Sequence, residues 1–225
     1  MGLSAGFDFS SANAVFAVVD PAKGVLFDRA FPFPARDASA LPLKICETLE
    51  EFDLFYEDIT DWSVGAGPGS FTGLRIAAAF AAGLTFRKTD VRIRGVSSAA
   101  ALAHTLYAPD RNVLALYDGR KNEILACGLH PMNGSFREDG FRAVIRSAAD
   151  LADAAKNYPS LACLDQDRPA LEKVCPGWGA VAGCAERIFG ATLAAWDRSD
   201  FSRPPSDLTY LRPAVFVAPA VIRSV

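Results

Sequence analysis

The chain has 225 residues, 51% of them apolar and 22% charged, with a formal net charge of −3. That length buries a real core in one large domain or two smaller ones, whereas an acidic chain without a basic run is a poor stand-alone binder of nucleic acid. The five cysteines are odd in number, widely spaced and without a Cys-x-x-Cys pair; with no basic N-terminal leader and no span-length apolar run, they read as reduced thiols of a cytoplasmic protein that meets no membrane.

Residues 3–8, 14–20 and 24–31 read as strands, with turns at 10–13 and 21–24, which makes an antiparallel meander. Leu41, Ile45, Leu49 and Phe52 recur at helical spacing, with Ser39 ahead of Pro42 as a start signal. A strand at 62–66 then runs into Gly65-Ala66-Gly67-Pro68-Gly69-Ser70-Phe71-Thr72-Gly73-Leu74-Arg75-Ile76, followed by a helix over 72–86. So much glycine means that something passes very close to this loop, while Pro68 fixes a turn and Ser70 or Thr72 caps the helix. The visitor is a phosphate, another strand or a partner helix. A phosphate fits poorly: no lysine follows Gly73, and Ser70 stands where a dinucleotide fingerprint needs its third glycine.

A strand at 91–96 and a short helix at 98–107 complete the first half. The second half repeats the order. Strands are expected at 112–118, 122–130 and 141–145, with turns at 119–121 and 132–134. A helix at 148–158, a strand at 161–164 and a helix at 185–196 follow. Two βββαβα units give an α/β chain of two lobes, 1–108 and 109–225. Residues 197–225 are proline-rich and carry no clear pattern.

The glycine run resembles, nearly residue for residue, the Gly-Pro-Gly-Ser-Phe-Thr-Gly-Leu-Arg-[Ile/Val] signature of the bacterial TsaB (YeaZ) family. Asp118-Gly119-Arg120-Lys121-Asn122-Glu123-Ile124 resembles that family's Asp-Ala-Arg-x-x-Glu hairpin, with Leu125 in place of its tyrosine. Asp207-Leu208-Thr209-Tyr210-Leu211-Arg212 is similar to its Pro-x-Tyr-Leu-Arg segment. The resemblance implies an actin-like ATPase (ASKHA) fold of two ribonuclease-H-like lobes. It also implies a non-catalytic scaffold subunit of TsaD in forming threonylcarbamoyladenosine beside the anticodon of ANN-decoding tRNAs. ATP and metal are then expected on TsaD and none on this chain. A TsaE-like ATPase joins through the complex, tRNA is met only indirectly, and the chain pairs with itself when alone.

The same resemblance places Asp8 and Ser10, at the end of the first strand, against a nucleotide phosphate. Here Phe9 replaces the usual hydroxyl, so the favoured role for Asp8 is to anchor the turn through backbone N–H groups. Asp118 and Arg120 either face the cleft near Asp8 or form a solvated turn. His104 and His130 lie 26 positions apart in the sequence and form no ligand cluster. Ser70 has neither a nucleophile elbow nor a nearby base, so no catalytic residue is expected. The rival reading is a stand-alone actin-like-fold ATPase or phosphotransferase with Asp8 and Asp118 in its cleft. A glycoprotease-like peptidase is a weaker one. The partner surface is expected on two helices and the loop between them: Ile45, Leu49, Phe52, Ser70, Phe71, Thr72, Leu74, Arg75, Ala77, Ala78 and Ala81. Small residues let helices approach closely, so Ala77→Arg or Ala81→Arg is expected to leave a folded chain that no longer associates.

Overall fold

The computed structural model describes residues 2–32, 40–197 and 199–211. Strands β1 (Leu3–Asp8), β2 (Asn13–Asp20) and β3 (Gly24–Pro32) form the meander. Helix α1 (Leu41–Glu51), strand β4 (Ile59–Gly65), helix α2 (Phe71–Thr85), strand β5 (Arg92–Val96) and helix α3 (Ser98–Leu106) follow. The first sheet has the order β3-β2-β1-β4-β5, with β4 and β5 parallel to β1.

The second sheet repeats this plan. Its strands are β6 (Val113–Asp118), β7 (Ile124–Met132), β8 (Ser135–Ile145), β9 (Ser160–Leu164) and β10 (Gly183–Ala185), in the order β10-β9-β6-β7-β8. Again the first three are antiparallel and the last two parallel. Helices α4 (Ala148–Ala154), α5 (Arg168–Val174) and α6 (Gly190–Ala194) are the α-helices of the second half among the described residues. Two mixed sheets of identical order make the actin-like, duplicated ribonuclease-H-like fold.

Alternating apolar residues explain the layers. Phe7, Trp62 and Val64 of the first sheet pack with Ile45 and Leu49 of α1 and Ala77 and Ala81 of α2. On the second sheet, Leu114, Leu116 and Cys163 pack with Leu151 of α4 and Leu171 of α5. The remaining helices change sides. Helix α3 packs on the second sheet through Ala99 to Ala103, while α6 lies across β1 and β2 of the first. Asp28 of β3 fixes α6 there: it accepts the Ala191 N–H at 2.9 Å and pairs with Arg187. The expected boundary between residues 108 and 109 falls in the loop between α3 and β6.

Several elements differ from the sequence reading. β8 begins at Ser135 because Asn133 and Gly134, both at positive φ, make a tight hairpin. The helix expected over 185–196 is a short strand followed by a five-residue helix. Helix α5 was not anticipated. Ser39 and Arg212 lie outside the described residues. So does the segment 213–225.

Candidate functional site

The two lobes meet at the end of β1. Asp8 is buried there. Its Oδ1 accepts the Ser10 N–H at 2.7 Å, the expected turn anchor. Its Oδ2 accepts the hydroxyl of Ser98 at the start of α3. Ser98 Oγ in turn accepts the Gly67 N–H at 3.1 Å, and the Ser98 N–H donates to the Gly67 carbonyl at 2.7 Å. Burial pushes the Asp8 carboxyl above its ordinary range, and the hydrogen bonds from Ser10 and Ser98 pull it back.

The visitor to the glycine loop is the chain's own turn. The Ser70 N–H donates to the Ser10 carbonyl at 2.7 Å. A Cβ at Gly69 would stand 2.4 Å from Ser10, and one at Gly65 only 1.7 Å from Asp8 Oδ2. Both positions therefore need glycine for the close approach of the chain's own turn. Phe9 points into the first-lobe core, 5.2 Å from the Phe7 ring. A hydroxyl in that place would be buried in hydrocarbon.

Asp118 and Arg120 sit at the β6–β7 turn. Asp118 Oδ1 accepts the Arg120 N–H at 2.7 Å, and Arg120, Lys121 and Asn122 are all left-handed, with φ of 57°, 53° and 57°. No hydrogen bond among the described residues joins Asp118 or Arg120 to Asp8 or Ser10. The structure instead brings Asp118 to Asp167, which the sequence reading missed. Asp167 is buried, and burial with the nearby Asp118 carboxylate pushes its pKa up to about 6. Next to it, Gln166 Oε1 accepts the Ala12 N–H at 3.2 Å and so joins the second lobe to the β1–β2 turn. The signal was present: Asp165-Gln166-Asp167 ahead of Arg168-Pro169 is an acidic, proline-marked helix start.

On the other side of α3, a cleft of about 700 Å³ is lined by Arg94, Ser97, Glu138, Trp196, Arg203 and Thr209. Glu138 Oε1 accepts the Ser97 hydroxyl at 2.6 Å. Arg94, itself buried, is locked by the carbonyls of Trp196 and Asp200, both at 2.8 Å, and by Ser63 Oγ at 3.0 Å. Its guanidinium ties residues 196–203 to β5. His104 is packed edge-on against Phe136 and Trp196. Among the described residues no three His, Cys, Asp or Glu side chains converge as metal ligands, and no helix is long and apolar enough to cross a membrane.

The expected partner surface divides in two. Ile45, Leu49, Leu74, Ala77 and Ala81 are buried in the chain itself. Their side chains are taken up inside the chain, those of Ile45, Leu49, Ala77 and Ala81 in the first-sheet core, and not on the outward faces that the sequence reading gave them. Phe52 is half-buried and stacks on Phe27 with ring centroids 4.6 Å apart. Ser70, Phe71, Thr72 and Arg75 are exposed, and Ala78 is half-buried. The outward face of α2 continues through Ala79, Ala82 and Gly83 to Phe86, which is 71% exposed. Arg75 lies over the Phe71 ring at 4.0 Å, and Tyr210 packs on the same ring at 5.1 Å. Tyr210 thus anchors the C-terminal segment to the start of α2, and the Thr209 N–H donates to the Ala66 carbonyl at 2.8 Å.

The family model described as "TsaD: tRNA N6-adenosine threonylcarbamoyltransferase" matches residues 37–164, more than half of the chain. The chain belongs to this family. Within it the resemblance is to the TsaB/YeaZ type. The tRNA threonylcarbamoyladenosine biosynthesis protein TsaB of Haemophilus influenzae is 36% identical over 86 residues. That alignment covers 37% of this chain and spans only 36% of the relative's length. YeaZ from Pseudomonas aeruginosa superposes with a TM-score of 0.70 at 21% identity, over 92% of this chain and 98% of that one. A protein described as similar to peptidase YeaZ from Pseudomonas aeruginosa gives 0.71 at 24% identity, over 94% and 100%. These two structures establish the fold.

Proposed function

We propose that this chain is the non-catalytic partner of a TsaD-like subunit in forming threonylcarbamoyladenosine next to the anticodon of ANN-decoding tRNAs. The observation that carries this reading is the filled space at the end of β1. An actin-like enzyme holds nucleotide phosphate there. Here both Asp8 oxygens are engaged by Ser10 and Ser98, and the glycine loop lies on the turn. In this reading ATP and metal belong to the TsaD-like subunit, and a TsaE-like ATPase joins through the complex. The net charge of −3 suits a subunit that meets tRNA only through its partner. The outward face of α2, from Phe71 to Phe86, serves the TsaD-like subunit and, when the chain is alone, a second copy. The protein works in the cytoplasm.

The test is reconstitution. Tagged chain should capture the TsaD-like protein of its genome, and the modified nucleoside should form only when both are present. Capture failing, with tRNA modified equally well without this chain, would refute the proposal. The rival ATPase reading draws on the Asp118–Asp167 pair across from Ala12. Calorimetry that gives micromolar ATP affinity for the isolated chain, lost in Asp118→Asn, would favour that rival.

A further inference from the structure

Cys163 and Cys184 face each other on β9 and β10, in register across parallel strands. Directly opposed residues on neighbouring strands share a face, and the two Sγ atoms are 3.1 Å apart. Strand spacing places opposed Cα atoms about 4.8 Å apart, inside the range of about 4.4–6.8 Å that a disulfide spans. β10 has three residues and lies at the sheet's edge, paired only with β9. It can adjust to a bond without disturbing a second strand. Cys163 is buried in the second-lobe core, whereas Cys184 lies half-buried at its rim. No third ligating side chain joins them among the described residues, so the pair does not build a tetrahedral metal site.

We propose that Cys163 and Cys184 are a dithiol that a peroxide oxidises to an intramolecular disulfide, fastening β10 to β9. The half-buried Cys184 thiolate attacks a peroxide oxygen. The O–O bond breaks, leaving a sulfenic acid on Cys184 and a hydroxide, which takes up the proton the Cys184 thiol had released and becomes one water. Cys163 sulfur then attacks the Cys184 sulfur, and the departing hydroxide takes the Cys163 proton and leaves as a second water. Two thiols and one hydrogen peroxide give one disulfide and two waters, with two electrons passing from sulfur to oxygen. Burial and the neighbouring Cys184 push the Cys163 thiol well up, which assigns Cys163 the second step and makes the reaction slow.

The experiment treats the purified full chain with hydrogen peroxide, alkylates remaining thiols in denaturant, and maps tryptic peptides by mass spectrometry. Alkylatable thiols should fall from five to three, with loss of two hydrogens in mass and reversal by dithiothreitol. The linked peptides should carry Cys163 on one side and Cys175 with Cys184 on the other, and fragment ions should place the bond at Cys184. The oxidised chain should melt at a higher temperature than the reduced one. Cys184→Ser should abolish the link. Mapping of the unsubstituted chain decides the matter even where that variant folds poorly. A Cys184 that advances to sulfinic acid while Cys163 stays alkylatable would overturn the proposal, as would a bond to Cys175 or between two copies.

Discussion

Asp8 shows how one buried carboxyl can serve architecture in place of chemistry. Its two oxygens bind the β1–β2 turn and the first turn of α3, so a single side chain joins a strand end of the first sheet to the helix that packs on the second. Asp8→Ala orphans the Ser10 N–H and the Ser98 hydroxyl. Each unsatisfied buried group costs about 1–3 kcal/mol, and urea denaturation should register the loss of two, about 2–6 kcal/mol. Tyr117 makes the opposite case. Its hydroxyl is buried and finds no hydrogen-bond partner among the described residues. Tyr117→Phe removes that orphan at almost constant shape. Its stability should equal or exceed that of the parent, and a loss above about 1 kcal/mol would reveal a partner for the hydroxyl. Asp167 makes stability depend on pH. Its pKa rises from 3.8 to about 6 on folding, so the folded chain prefers the protonated acid. That preference is fully present below pH 4 and fades as pH rises through 6. The two-unit shift corresponds to about 3 kcal/mol. Denaturation at a series of pH values should therefore show Asp167→Asn relatively more stable at pH 7.5 than at pH 4.

At the scale of the element, α2 explains both what its sequence revealed and what it hid. The motif announced a tight loop, a Ser70 cap and a long small-residue helix, and Ser70 Oγ does accept the Gly73 N–H at 3.3 Å. Alanine on every side gave no means of telling the sheet-facing row from the outward row. Ala77 and Ala81 are the row that is buried, in one core with Phe7 and Trp62 of the sheet. Ala77→Arg should thus unfold the first lobe, since a charge forced unpaired into a core costs about 3–5 kcal/mol. Ala82→Arg lies on the exposed face, so its circular dichroism and midpoint should stay within about 0.5 kcal/mol of the parent. If that face carries the partner contact, sedimentation should show association weakened by about two orders of magnitude. Helix α5 went unseen for a related reason. Seven residues give too few turns for a periodic pattern, and only Leu171 is buried on it.

The whole molecule was legible as a duplication because strand alternation and turn chemistry recur in both halves. The cleft was less so. Ser98, Glu138, Gln166 and Asp167 reach their places through long-range packing, which local spacing does not encode. The exchange of helices is likewise a property of the assembled chain: α3 serves the second sheet and α6 the first. Separate expression of residues 1–108 and 109–225 should give fragments that are insoluble or poorly folded alone and that recover native circular dichroism when refolded together. Two independently cooperative fragments would contradict the exchange. Its consequence reaches back to synthesis. A ribosome releases β1 and β2 early, but the helix that covers them, Gly190–Ala194, is among the last described elements to emerge. The first sheet therefore waits with one face bare while well over a hundred further residues are made. The first lobe cannot close before Ala194 has been made, and that interval is where a chaperone has most to shield.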